Sequence, residues 1–104
     1  MTDPKHETVR SVIYSAIDEI NESRSPGRRI SVSDDTVLFG PDGVLESVEL
    51  VNLIVSTEML LTERLQEDVA LADDQELWEG GHALRTVGAF TDYVRSKLRR
   101  EQPA

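Results

Sequence analysis

Cysteine is absent from this chain, which excludes disulfides, a thiolate nucleophile and a cysteine-ligated zinc site. Also missing is any apolar run of the length needed to cross a bilayer. Met1 to Glu7 is polar and carries no apolar stretch of the kind a secretory signal requires, so a cytoplasmic location is expected. Positive charge is scarce: 11 Lys and Arg stand against 20 Asp and Glu, a formal charge of −9. Such a surface repels phosphate backbones and anionic lipid heads, so neither nucleic acid nor membrane insertion is expected. A basic patch on another protein is the better partner.

What is present is an ordinary globular balance, 38% hydrophobic and 30% charged, over 104 residues. That length corresponds to one small domain, residues 1–104, with a modest core. Four helices are expected, at roughly 4–23, 47–65, 74–79 and 86–99. In the first, Val9, Val12, Ile13, Ala16, Ile17 and Ile20 fall on one stripe. Pro4 suits the first helical position, and Ser25-Pro26-Gly27 supplies the stop. The second carries Val48, Val51, Leu53, Ile54, Val55, Leu61 and Leu65. Apolar residues cover more than half its circumference, so it is expected to be central. The third is short, beginning near Asp74 and ended by Gly80-Gly81. The fourth has Thr86 as its N-cap and a stripe of Val87, Phe90, Val94 and Leu98, with Ala89 and Tyr93 at the edges.

A long connection separates the first two helices. Its Ile30, Val32, Val37, Leu38 and Phe39 are too apolar to be left in water, and they are expected to fold down over the helices, with a short helical turn at Asp34–Leu38. Gly40-Pro41-Asp42-Gly43 then forms a strong turn signal. The fold class that results is all-α, a small bundle with a long first loop and a short third helix.

Ser47 lies just beyond that turn, where the second helix starts. A serine there is commonly an N-cap, its hydroxyl accepting a bond from a free N–H of the first turn. The same position also suits a phosphate joined to the hydroxyl, which would lie against the positive end of the helix dipole. No His, Lys or Cys stands near it in the sequence to activate it, so any reaction at Ser47 must be performed by another protein.

Leu45-Glu46-Ser47-Val48 resembles the Leu-Asp-Ser-Leu signature of acyl carrier proteins. Glu49-Leu50-Val51-Asn52-Leu53-Ile54-Val55 is similar to the start of that family's recognition helix, and Val69-Ala70-Leu71-Ala72-Asp73 to the segment before its short third helix. Arg85-Thr86-Val87-Gly88-Ala89-Phe90-Thr91-Asp92-Tyr93-Val94 resembles its Thr-Val-Gly…Tyr-Ile closing helix. The similarity spans nearly the whole chain, in order and in spacing. It implies a four-helix carrier bundle, monomeric and free-standing, with 4′-phosphopantetheine from coenzyme A attached at Ser47 by a phosphopantetheinyl transferase.

The resemblance further implies a shuttle with no catalysis of its own. It would hold acyl groups as thioesters for loading, processing and transfer enzymes with basic docking surfaces, in a specialised fatty-acid, lipid or secondary-metabolite pathway. Glu46, Val48, Glu49, Asn52 and Glu58 are the implied docking residues. Val51, Ile54, Val55 and Phe90 are candidates to line a cleft for the acyl chain, and equally candidates for plain core. Two positions depart from the signature: Glu46 stands for Asp and Val48 for Leu. They keep open a carrier-like interaction module that has lost modification. An aminoacyl carrier loaded by an adenylating ligase is another alternative.

Other signals have blander readings. Asp73, Asp74 and Glu76 lack the spacing of a calcium loop and suit a solvated helix start, so no metal is expected. His6 and His82 are isolated, and Trp78 reads as a partly buried anchor for a short helix. Gly80-Gly81-His82 is similar to a peptidyl-carrier tripeptide but falls after the third helix.

Overall fold

The six aliphatic residues of the first stripe are all buried, Val9, Val12, Ile13 and Ile17 completely, and they run down one side of helix α1, Pro4–Glu22. The computed structural model of the protein describes residues 4–40, 43–66, 70–71, 75–78 and 82–101. Two further long helices follow, α2 at Ser47–Leu65 and α4 at Val87–Glu101, with a single helical turn, α3, at Gln75–Trp78 between them. A 3-10 turn at Pro26–Arg28 carries the chain out of α1. There is no strand among the described residues, only one antiparallel bridge between Val37 and Thr86. No described helix is long and apolar enough to cross a membrane.

The central element is α1, which packs against both α2 and α4. This corrects the expectation that α2 is central. The apolar residues of α2 divide between two opposite sides: Leu50, Leu53, Ile54 and Leu61 are buried, whereas Val48, Val51, Val55 and Met59 face solvent. At 3.6 residues per turn the two sets lie about half a turn apart. The larger Leu and Ile side chains, which remove more apolar surface from water, point inward. Thr57 sits among them, fully buried, its hydroxyl donating to the Leu53 carbonyl at 2.7 Å. Thr91 in α4 is satisfied the same way by the Val87 carbonyl at 2.8 Å, so neither buried hydroxyl lacks a partner.

In α4 the expected stripe of Val87, Phe90, Val94 and Leu98 is buried. Thr86 caps the helix as expected: its Oγ1 accepts the Ala89 N–H at 3.0 Å. Two more N–H groups at this end are taken up by the long connection. The Val87 N–H donates to the Thr36 carbonyl at 3.0 Å and the Gly88 N–H to the Asp34 carbonyl at 2.8 Å. A Cβ on Gly88 would stand 3.1 Å from that carbonyl oxygen, so the loop is seated almost directly on the glycine. The Asp34 carboxylate then ties this end back to α1, pairing with Arg10 and accepting the Tyr14 hydroxyl at 3.1 Å. Burial first, and then the Asp34 carboxylate, push the Tyr14 phenol above its usual value.

The connection itself is held by polar bonds and a few apolar plugs. Asn21 grips Ile30 twice, donating to its carbonyl at 3.0 Å and accepting its N–H at 2.7 Å. Ile30 and Leu38 are buried, and Val32 packs on the core. Phe39 is the exception to the expected burial, 45% exposed, because it lies at the edge of the Gly40 turn. The anticipated helical turn at Asp34–Leu38 is also absent: a turn at 34–35 gives way to the bridge at Val37. The Leu38 N–H goes to the Arg85 carbonyl at 2.8 Å, so these backbone groups pair with the start of α4 instead of with one another. The Asp73–Asp74 cluster and the Gly80-Gly81 stop lie outside the described residues.

The turn before α2 needs glycine twice. Gly40 has φ +122°, a conformation that side chains disfavour. At Gly43 an added Cβ would meet Leu38 O at 2.7 Å, Phe39 Cα at 2.8 Å and Gly40 N at 2.9 Å, all backbone. Gly43→Ala is therefore expected to cost about 1–3 kcal/mol of stability. Gly27→Ala, where nothing lies within 4 Å of the new Cβ, should change it by no more than about 0.5 kcal/mol. Urea denaturation of the two variants and the parent checks both figures.

Candidate functional site

The approach to Ser47 is pinned at three successive residues. The Val44 N–H donates to the Val37 carbonyl at 3.0 Å and the Leu45 N–H to the Leu38 carbonyl at 3.1 Å. Leu45 itself is sunk into the core. The Glu46 N–H donates to Glu49 Oε1 at 3.0 Å.

Glu46 is the N-cap of α2, with extended backbone at φ −81° and ψ 164°, and its carbonyl accepts the Leu50 N–H at 2.9 Å. Ser47 is accordingly the first helical residue, not the cap. The reading of Ser47 as N-cap is corrected by one position, and the capping work falls to the two glutamates. Ser47 is exposed, and its hydroxyl has no hydrogen-bond partner among the described residues. A small, unburdened hydroxyl at the first turn of a helix fits covalent attachment of a phosphodiester, whose charge the helix start favours.

Glu49 is not available in the way the sequence suggested. Its side chain, 19% exposed, faces Arg24, 17% exposed, with Arg24 Nη2 donating to Oε1 at 2.6 Å and Nε to Oε2 at 3.1 Å. Both carboxylate oxygens are therefore engaged within the protein. Arg24 also donates to the Val44 carbonyl at 2.8 Å and the Arg28 carbonyl at 3.0 Å. The Arg24 hydrogen bond, aided by the one from the Glu46 N–H, holds the Glu49 carboxyl below its ordinary range despite partial burial. The same pair raises the Arg24 guanidinium. Beside it lies a cavity of about 220 Å³ lined by Ser23, Arg24, Ser25, Arg28, Glu46 and Glu49. Its walls are polar and charged, so it is no shelter for an acyl chain.

The remaining candidates fall into two groups that the structure keeps apart. Ile54 and Phe90 are core residues, 1% and 0% exposed, whereas Val51 and Val55 are 48% and 42% exposed. Two of the four are thus sealed in the core and two face solvent. Val51 and Val55 instead join Val48 and Met59, 63% and 67% exposed, in a stripe that begins beside Ser47. Asn52, also exposed, extends this face, and Glu58, partly buried, lies at its edge.

Arg24 was missed in the sequence. It stands 25 residues from Glu49, too far for any local pattern to link them. One signal was present: Glu46 and Glu49 have the spacing of a capping box, which directs the later glutamate back toward the helix start. No family model matches the chain, and no curated protein or solved structure matches it.

The pH dependence of the pair has a definite sign. Because the Glu49 carboxyl is lowered in the folded state, its contribution is complete above the ordinary carboxylate range and is lost as pH falls through the folded value. Glu49→Gln should cost about 1–3 kcal/mol at neutral pH, as for a hydrogen-bonded charged group. That difference from the parent should shrink below pH ~4, where the unfolded carboxyl protonates ahead of the folded one. Urea denaturation of both proteins from pH 7 to pH 3 measures it.

Proposed function

We propose that the chain is an acyl carrier protein of the four-helix type that carries 4′-phosphopantetheine on Ser47. The observation that carries this reading is the exposed Ser47 hydroxyl, without a hydrogen-bond partner among the described residues, at the first residue of α2 on a backbone held at each of the three preceding residues. Support comes also from the closing motif, whose residues have physical work here. Thr86 caps α4, Val87 is buried, and Gly88 admits the loop that leads to Ser47.

The transfer is a phosphoryl substitution on coenzyme A. Ser47 Oγ bonds to the phosphorus next to the pantetheine, the pyrophosphate P–O bond breaks, and adenosine 3′,5′-bisphosphate leaves. The hydroxyl proton passes to a base of the transferase. The thiol at the end of the arm then holds an acyl group as a thioester for partner enzymes, in the cytoplasm.

Docking follows from the face next to Ser47. Val48, Val51, Asn52, Val55 and Met59 form an exposed surface without charge, in a protein whose net charge is −9. Glu46 and Glu58 flank it and steer basic partners toward it. Contact is therefore apolar at its centre and ionic at its rim. With Glu49 occupied by Arg24, the ionic share is smaller than the count of glutamates suggests.

Incubation with coenzyme A and a broad-specificity phosphopantetheinyl transferase should add one phosphopantetheine by intact mass, and none to Ser47→Ala. No gain with several transferases contradicts the proposal. In the same assay, Val51→Ser combined with Met59→Ser should raise KM for the carrier about tenfold, equivalent to about 1.4 kcal/mol of lost contact. Raising the salt concentration should have a smaller effect on KM than this double substitution.

A further inference from the structure

We infer that Arg24 is a positioning residue for group transfer to Ser47, an inference that rests on the proposal above. Arg24 does not act on the hydroxyl directly. Its guanidinium makes four bonds to three parts of the chain: the Arg28 carbonyl in the loop, the Val44 carbonyl ahead of the helix, and both oxygens of Glu49 in the first turn of α2. Glu49 Oε1 passes the restraint on to the Glu46 N–H. Val44 before Ser47 and Glu49 after it are thereby fixed by one side chain to the segment that follows α1.

Ordinary surface ion pairs contribute little, because water competes for both partners. This pair differs in being less than one-fifth exposed on each side and in using a planar fork that a lysine cannot reproduce. In-line transfer requires the attacking oxygen to be held near its reacting position, and a displacement of an ångström is enough to slow such a step. Without Arg24 the Val44 and Arg28 carbonyls and the Glu49 carboxylate lose a shared donor, and the first turn of α2 is free to fray. The uncharged docking face further along α2 is left intact. Loss of Arg24 should therefore reduce kcat and spare KM.

Transferase kinetics on four proteins, well below their unfolding temperatures, test this. Arg24→Gln should lower kcat about tenfold with KM for the carrier within twofold of the parent. Arg24→Lys, able to keep the charge pairing but not the whole set of bonds, should fall between and supplies the answer if the Gln variant does not fold. Ile17→Val, which weakens the core without removing any bond of the clamp, should leave kcat unchanged. Parent-like kcat in both Arg24 variants overturns the positioning role and leaves the Ser47 reading standing. An equal fall in Ile17→Val also overturns it, since general destabilisation then accounts for the loss. Failure of the parent itself to gain mass refutes the Ser47 reading and the Arg24 role together.

Discussion

Arg24 divides its guanidinium among acceptors that are distant in sequence and adjacent in space, and the corner around Ser47 takes its shape from that arrangement. Residues 23–46 form a long connection, and a connection of that length must satisfy its backbone groups without a helix of any size. It does so by attachment to its neighbours. Asn21 holds Ile30, the start of α4 takes the Asp34, Thr36 and Leu38 backbone, and Arg24 closes the far end against α2. Apolar plugs at Ile30, Leu38 and Leu45 seat the same segment from beneath. The loop is thus a structural element in its own right, and Ser47 is where it delivers the chain into α2.

The second helix shows how one amphipathic pattern can serve two purposes. Its inner side supplies Leu and Ile to a core organised around α1, and its outer side keeps Val and Met in contact with water. Exposed apolar side chains are ordinary when scattered, but a continuous stripe is a feature associated with interaction. Here the stripe starts at the residue after Ser47, so an enzyme that reaches the hydroxyl also meets the stripe. The hydroxyl, the clamp behind it and the stripe beside it lie together at the start of α2.

Much of the fold was legible in the sequence because it was locally encoded. The α1 stripe, the α4 stripe, the Thr86 cap and the glycine turn are each readable within a few residues. What escaped was decided between elements. Nothing in the periodicity of α2 distinguished Val51 from Ile54, since both are aliphatic; only the position of α1 sends one outward and the other inward. Glu49 looked like a docking acid until a partner 25 residues away was in place. Ser47 looked like an N-cap because serine commonly is one, yet Glu46 and Glu49 already share that work. Phe39 was expected to be buried on composition alone, and the turn at Gly40 leaves it partly exposed.

The most direct test of the central claim examines the protein as its own cells make it. Tandem mass spectrometry of the chain purified from its source should find phosphopantetheine on the peptide containing Ser47, released as a pantetheine fragment on activation. An unmodified Ser47 peptide in growing cells, or the arm on a different serine, would contradict the account.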